Sequence, residues 1–294
     1  MYTVTGITGN VGGAVARALL NAGKKVRGVV RDPAKAAAWA AAGVELFVAE
    51  VQDAAAMENA FRGVEGVFVM IPPFFAPLEG FPETRAIVSA LRRALAAARP
   101  EKAVYLSSVG AQHNHGLGLI TQSHILETEM GSLPIAGAFL RAAWFLENYQ
   151  WDIGPARERG EMDVYLNPVD RAFPMVATAD IGQLAATVLQ QQWTGRRVLE
   201  LEGPRKYSPL EAAQTLGRLL GRPVQTKLIP PAEWQARFEQ PGLPPERTAA
   251  RIEMLGGFNS GWIDFECAGT EHFTGSHTLE AVLEKLIGEE NHQA

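Results

Sequence analysis

Short valine-rich runs alternate with alanine-rich stretches of helical spacing through the first half of the chain. This is the pattern of a parallel β-sheet whose crossovers are helices. Residues 2–5 read as the first strand and 14–22 as the helix after it. The second strand covers 25–30, and Arg31-Asp32-Pro33 opens a helix that runs to Ala42, with Asp32 preferred as its cap over a carboxylate turned inward. Residues 44–48 form the third strand, and Asp53 caps a helix over Ala54–Phe61. A fourth strand at 66–71 is stopped by Pro72-Pro73. A long amphipathic helix at 83–98 and strands at 103–108 and 135–141 complete the series.

Beyond residue 150 the alternation breaks down and proline and glycine become more frequent. Asp180 is expected to cap a helix ending near Gln192, followed by a strand at 197–201. Ser208-Pro209 has the cap-then-proline signature of a helix start, with the helix ending near Gly221. A short strand at 224–229, a helix after Pro230-Pro231 and a loop or lid at 240–245 follow. The expected organisation is an α/β nucleotide-binding domain at 1–150, to which segments around 170–200 return. A smaller substrate-binding domain occupies 151–294.

Composition narrows the partners rather than the fold. With 47% hydrophobic and 20% charged residues among 294, the chain reads as a soluble globular protein. Its net charge of -5 offers no basic footprint, which argues against nucleic acid as a main partner. The single cysteine, Cys267, rules out an intrachain disulfide and a cysteine zinc cluster, and is expected to be a small, largely buried side chain. No targeting segment and no apolar stretch of membrane-spanning length is visible, so a cytoplasmic protein without a membrane partner is expected.

The candidate chemistry begins with Gly6-Ile7-Thr8-Gly9-Asn10-Val11-Gly12-Gly13, set between a strand and a helix. Unpaired N–H groups and the positive end of a helix dipole converge there, where a pyrophosphate can sit. The glycines fall at 6, 9 and 12, which differs from the Gly-x-Gly-x-x-Gly spacing of the standard dinucleotide fold. Arg31 follows the second strand and Lys35 lies one helical turn on. A guanidinium and an ammonium suit a ribose 2′-phosphate better than a free diol, so NADP(H) is preferred and NAD(H) is the second choice.

Those residues, with Ile71-Pro72-Pro73, Leu106-Ser107-Ser108, Leu140-Arg141-Ala142-Ala143-Trp144-Phe145-Leu146-Glu147-Asn148 and Ala179-Asp180-Ile181-Gly182, resemble the NmrA-like family. That family consists of atypical short-chain dehydrogenase/reductases and includes NAD(P)H-dependent quinone and azo reductases. The resemblance implies a Rossmann-type doubly wound parallel sheet with a smaller α/β C-terminal substrate domain. It assigns the phosphate loop to Gly6, Thr8, Gly9, Asn10 and Val11, and the 2′-phosphate to Arg31. The adenine position falls at Glu50, with Val51 alongside, and Ile71, Pro72 and Ser107 border the cofactor further along.

The same resemblance puts Ile120 and His124 where usual short-chain reductases carry a tyrosine acid and a lysine. Alcohol dehydrogenation through a tyrosinate is therefore not expected. Hydride transfer to a quinone-like or azo aromatic acceptor asks less of the protein, because the cofactor carries the difficult chemistry. His124 is a candidate either for proton donation or for holding the cofactor ribose. Phe74, Phe75, Trp144, Phe145 and Asn148 are the candidate substrate-pocket residues, and Trp262, Phe265 and Phe273 are candidates to close that pocket. His113 and His115 lack a third acidic or histidine ligand nearby, so they read as a polar loop and no metal site is expected. Glu127 and Glu129 read as helix-surface charges. The rival function is a non-catalytic NADP(H)-binding redox sensor that acts through a protein partner.

Overall fold

The computed structural model describes residues 1–293 except Gln240 and Leu243, so those two members of the expected loop at 240–245 lie outside the described residues. An eight-stranded, entirely parallel sheet forms the centre of the molecule. Its strands are β1 (Tyr2–Val4), β2 (Val26–Val30), β3 (Glu45–Val48), β4 (Gly66–Val69), β5 (Lys102–Ser108), β6 (Ala136–Ala142), β10 (Arg196–Glu202) and β12 (Glu271–Thr274). They lie in the order β12-β10-β6-β5-β4-β1-β2-β3. The winding reverses between β1 and β4, and a crevice opens beyond their carboxyl ends.

Helices α1 (Asn10–Asn21) and α7 (Thr178–Leu189) cover one face of the sheet, around Val15, Leu19, Ile181 and Leu189. α3 (Ala54–Phe61), α4 (Pro82–Ala98) and α5 (Thr121–Met130) cover the other, around Phe61, Leu91 and Leu126. α1 and α7 approach closely because Gly182 has no side chain. A Cβ there would lie 2.4 Å from that of Ala14. The expected α/β doubly wound sheet is present, and Asp53 caps α3 through the N–H groups of Ala55 and Ala56, both at 3.0 Å. The helix after β2 is shorter and tighter than expected, a 3-10 turn (Pro33–Ala36) leading into α2 (Ala37–Ala41).

A third core gathers on α6 (Gln150–Arg159), α8 (Pro209–Leu220), α10 (Ala249–Ser260) and α11 (Leu279–Gln293). Two small parallel pairs join it: β8 (Glu161–Val164) with β11 (Gln225–Leu228), and β7 (Trp144–Phe145) with β9 (Met175–Val176). α9 (Pro231–Phe238) follows Pro230 as expected, and Ser208 caps α8 in a reciprocal capping box with Glu211. The chain returns to the central sheet with β10 and again with β12, a second return that the sequence pattern does not announce.

Asp180 departs from expectation. It lies inside the first turn of α7 rather than at its cap, and its carboxylate accepts from the N–H of Ser276 and of His277, and from His277 Nδ1 at 2.8 Å. The start of α7 is held instead by Glu147, which accepts from the Thr178 N–H at 2.9 Å and from its hydroxyl at 2.6 Å. No described helix is long and apolar enough to cross a membrane.

Candidate functional site

The crevice is built from backbone first. Thr5, buried at the end of β1, bridges to the end of β4: its hydroxyl accepts from the Met70 N–H at 2.9 Å, and its own N–H donates to the Phe68 carbonyl at 3.1 Å. Gly6 follows in the left-handed region (φ 66°), where a side chain would collide with Met70. The Gly9 N–H closes the turn on the Gly6 carbonyl at 2.9 Å. At Gly12 a Cβ would lie 2.2 Å from the Gly6 oxygen, so only glycine lets α1 start this close to the loop.

The start of α1 is left open. No side chain caps it and no acidic residue occupies its first turn. Its leading N–H groups and the positive end of its dipole therefore face outward beside the exposed Thr8 and Asn10. Val11 buries its side chain in the core and so fixes the start of the helix. Arg31 and Lys35 are exposed, and neither side chain has a hydrogen-bond or ion-pair partner among the described residues. Asp32 does not compete for the site, because its carboxylate accepts from the Ala34 N–H at 2.9 Å and caps the turn, as expected. Glu50 is exposed and Val51 half-buried just beyond β3. An uncapped helix start with two free cations nearby is the donor set that a phosphorylated dinucleotide requires.

Past the switch point, Ile71 is half-buried and Pro72 exposed at the end of β4. Gln122 donates to the Phe74 carbonyl at 2.9 Å and accepts from the Thr84 hydroxyl, which ties the loop after β4 to α5 and α4. His124, on the same helix, is half-buried with Nδ1 2.9 Å from the Ala111 carbonyl. That contact makes Nδ1 the protonated nitrogen of the neutral ring and leaves Nε2 as an acceptor.

Ser107 is less available than its sequence position suggests, since its hydroxyl donates to Glu127 at 2.6 Å in the interior. Glu127 is itself the clearest departure from expectation. It is 3% exposed rather than a surface charge, and it accepts two parallel bonds from Arg141, each 2.8 Å, and a third from Arg196 at 3.0 Å. Hydrogen bonds and charge from Glu127 and Glu266 hold the Arg141 guanidinium above its usual range, although burial opposes this. Glu129 stays on the surface.

The aromatic candidates divide. Phe74 packs on the core under α4, Phe145 on the core under α1, and Trp144 sits edge-on to Phe258 with ring centroids 5.0 Å apart. Phe75 and Asn148 are exposed. Phe265 lies between two cores and Phe273 packs beside α7, whereas Trp262 stacks on His113 at 4.0 Å and leans on His115 at 5.0 Å. An open groove of about 920 Å³ lies beyond Trp262, between α10 and the Leu228-Ile229-Pro230-Pro231 segment, and its lining includes none of Phe74, Phe75, Trp144, Phe145 and Asn148. Cys267 is exposed rather than buried.

The sequence model of the NmrA-like family matches residues 2–256. The quinone oxidoreductase 2 of Escherichia coli (strain K12) is 28% identical over 247 residues, covering 83% of each chain. The NAD(P)H azoreductase of Xenophilus azovorans is 24% identical over 254 residues, covering 86% of each. In fold, the chain superposes on the Escherichia coli NADPH-dependent quinone oxidoreductase solved in complex with NADPH. The TM-score is 0.79 at 24% identity, covering 98% of this chain and 100% of the other.

Proposed function

This chain belongs to the NmrA-like family, and from that premise we propose that it is an NADPH-dependent oxidoreductase that reduces quinone-like or azo aromatic acceptors. The observation that carries this reading is the pairing of an uncapped α1 with the unpartnered Arg31 and Lys35. The N–H groups at the start of α1, with Thr8 and Asn10, would hold the pyrophosphate, and Arg31 with Lys35 the 2′-phosphate. Glu50 and Val51 stand on the adenine side, and Ile71 and Pro72 on the nicotinamide side.

When bound, the dinucleotide would supply a hydride, that is, two electrons and one proton, to an acceptor that is already electrophilic. The chain's part is to position, to exclude water and to leave a path for one further proton. With Nδ1 engaged by the Ala111 carbonyl, His124 has Nε2 left to accept from a ribose hydroxyl, and we assign it to positioning. Phe74 and Trp144 flank the strand ends where a flat acceptor would lie, and Phe145 backs them from the core.

The test is turnover by the purified protein across a panel of quinones and azo compounds, with NADPH and NADH compared. Consumption of NADPH in preference to NADH is expected. Tight NADPH binding without turnover of any acceptor would overturn the enzyme reading in favour of a redox sensor.

A further inference from the structure

The far edge of the sheet carries a group of side chains that nucleotide chemistry does not use. Glu200 on β10, Cys267 from the connection into β12 and His272 in β12 itself bring a carboxylate oxygen, a thiol sulfur and an imidazole nitrogen within 4.8 Å of one another. We propose that these three residues form a binding site for a borderline-soft divalent cation, with Zn²⁺ as the fitting ion. This inference is independent of the function proposed above, and it departs from the expectation of no metal that His113 and His115 suggested.

Three observations support it. The Glu200 carboxylate is 1% exposed and rigidly aimed: Oε1 accepts from the Glu266 N–H at 2.8 Å, and Oε2 from the Cys267 N–H at 3.1 Å and the Thr270 hydroxyl at 2.9 Å. His272 Nε2 lies 3.0 Å from the same Oε2. Tetrahedral ligands at roughly 2.0–2.2 Å from zinc stand only slightly further apart than that, so a small movement admits the ion. Finally, Glu202, two residues along β10 and so on the same face, has a buried Oε2 with no hydrogen-bond partner among the described residues.

The local charge favours a cation despite Arg141, whose Nη1 is 3.9 Å from Glu200. The Glu200 carboxylate beside the sulfur supplies negative charge that a bound cation would offset, favouring the thiolate once the ion is in place. Binding forms Zn–O, Zn–N and Zn–S bonds and releases one proton, from the thiol, to solvent. His272 would bind through Nε2, with Nδ1–H left to face outward. Cys267 and His272 are both exposed, which leaves a fourth position for water. Closure would pin the connection into β12 onto the end of β10.

The chain has a single cysteine, so thiol reactivity reports this site alone. The experiment adds equimolar ZnCl₂ to the metal-free full chain and follows the reaction of Cys267 with a chromogenic disulfide. Binding is measured in parallel by calorimetry. Zinc is expected to slow the thiol reaction at least tenfold. His272→Ala should lose that protection, whereas His113→Ala should keep it. Calorimetry on Cys267→Ser should show affinity at least tenfold weaker, with a thermal melt confirming that each variant is folded. Unchanged thiol reactivity in zinc, or full protection in His272→Ala, would overturn the proposal.

Discussion

Two arginines stand near the carboxyl ends of strands in one sheet, and their surroundings could hardly differ more. Arg31, after β2, is exposed and has no partner among the described residues. Arg141, in β6, is 3% exposed and held by Glu127 and Glu266, with Glu200 nearby. A buried charge that is fully met holds elements together. A charge left unmet beside an uncapped helix is available to a ligand. The contrast separates the part of the sheet that binds from the part that fastens.

The largest expected effect breaks the fastened side. Arg141→Ala takes both parallel bonds from the buried Glu127, leaving it Ser107 and the half-exposed Arg196, and should cost about 3–5 kcal/mol of stability. A loss under about 1 kcal/mol in denaturant unfolding would show that the network is not structural. Next comes the binding side. Arg31→Ala should weaken NADPH by about 1.5–3 kcal/mol, leave NADH nearly unchanged and not alter the melting temperature. Equal losses for both cofactors would remove the 2′-phosphate role.

Asp152 sharpens the comparison because it is neither met nor on offer. It is half-buried without a hydrogen bond or ion pair among the described residues, and burial, with Asp163 nearby, raises its carboxyl to about 7. The unfolded group titrates near 3.9, so the folded chain holds the proton more tightly. Stability then falls as pH rises between those two values and levels off above the upper one. Asp152→Asn should therefore stabilise by about 1–2 kcal/mol at pH 8 and by little near pH 4. A gain independent of pH would contradict the assignment. The smallest effect belongs to Arg196, whose side chain is 49% exposed although it reaches Glu127. Arg196→Ala should cost under about 1 kcal/mol, since Arg141 and Ser107 remain on that carboxylate.

What was legible in the sequence follows the range of each interaction. Asp53 and Ser208 declare themselves because a cap and its N–H groups lie within three residues. The phosphate loop is legible for the same reason. Glu127 was misread because its partners Arg141 and Arg196 are 14 and 69 residues away, and nothing local separates it from Glu129. Asp180 looked like a cap but answers to His277, 97 residues on. β12 carries Glu271, His272 and Thr274 around one aromatic, so its hydrophobic signal is too thin to mark a strand joining a sheet.

That last strand bears on how the molecule is made. The phosphate loop spans residues 6–13, yet the sheet behind it gains its outer strand only where residues 271–274 pair with β10. Without residues 266–274 β10 would be an open edge, with Glu200 lacking the N–H groups of Glu266 and Cys267. The outermost strand of the sheet is thus supplied by a segment that lies far along the chain from the loop it stands behind.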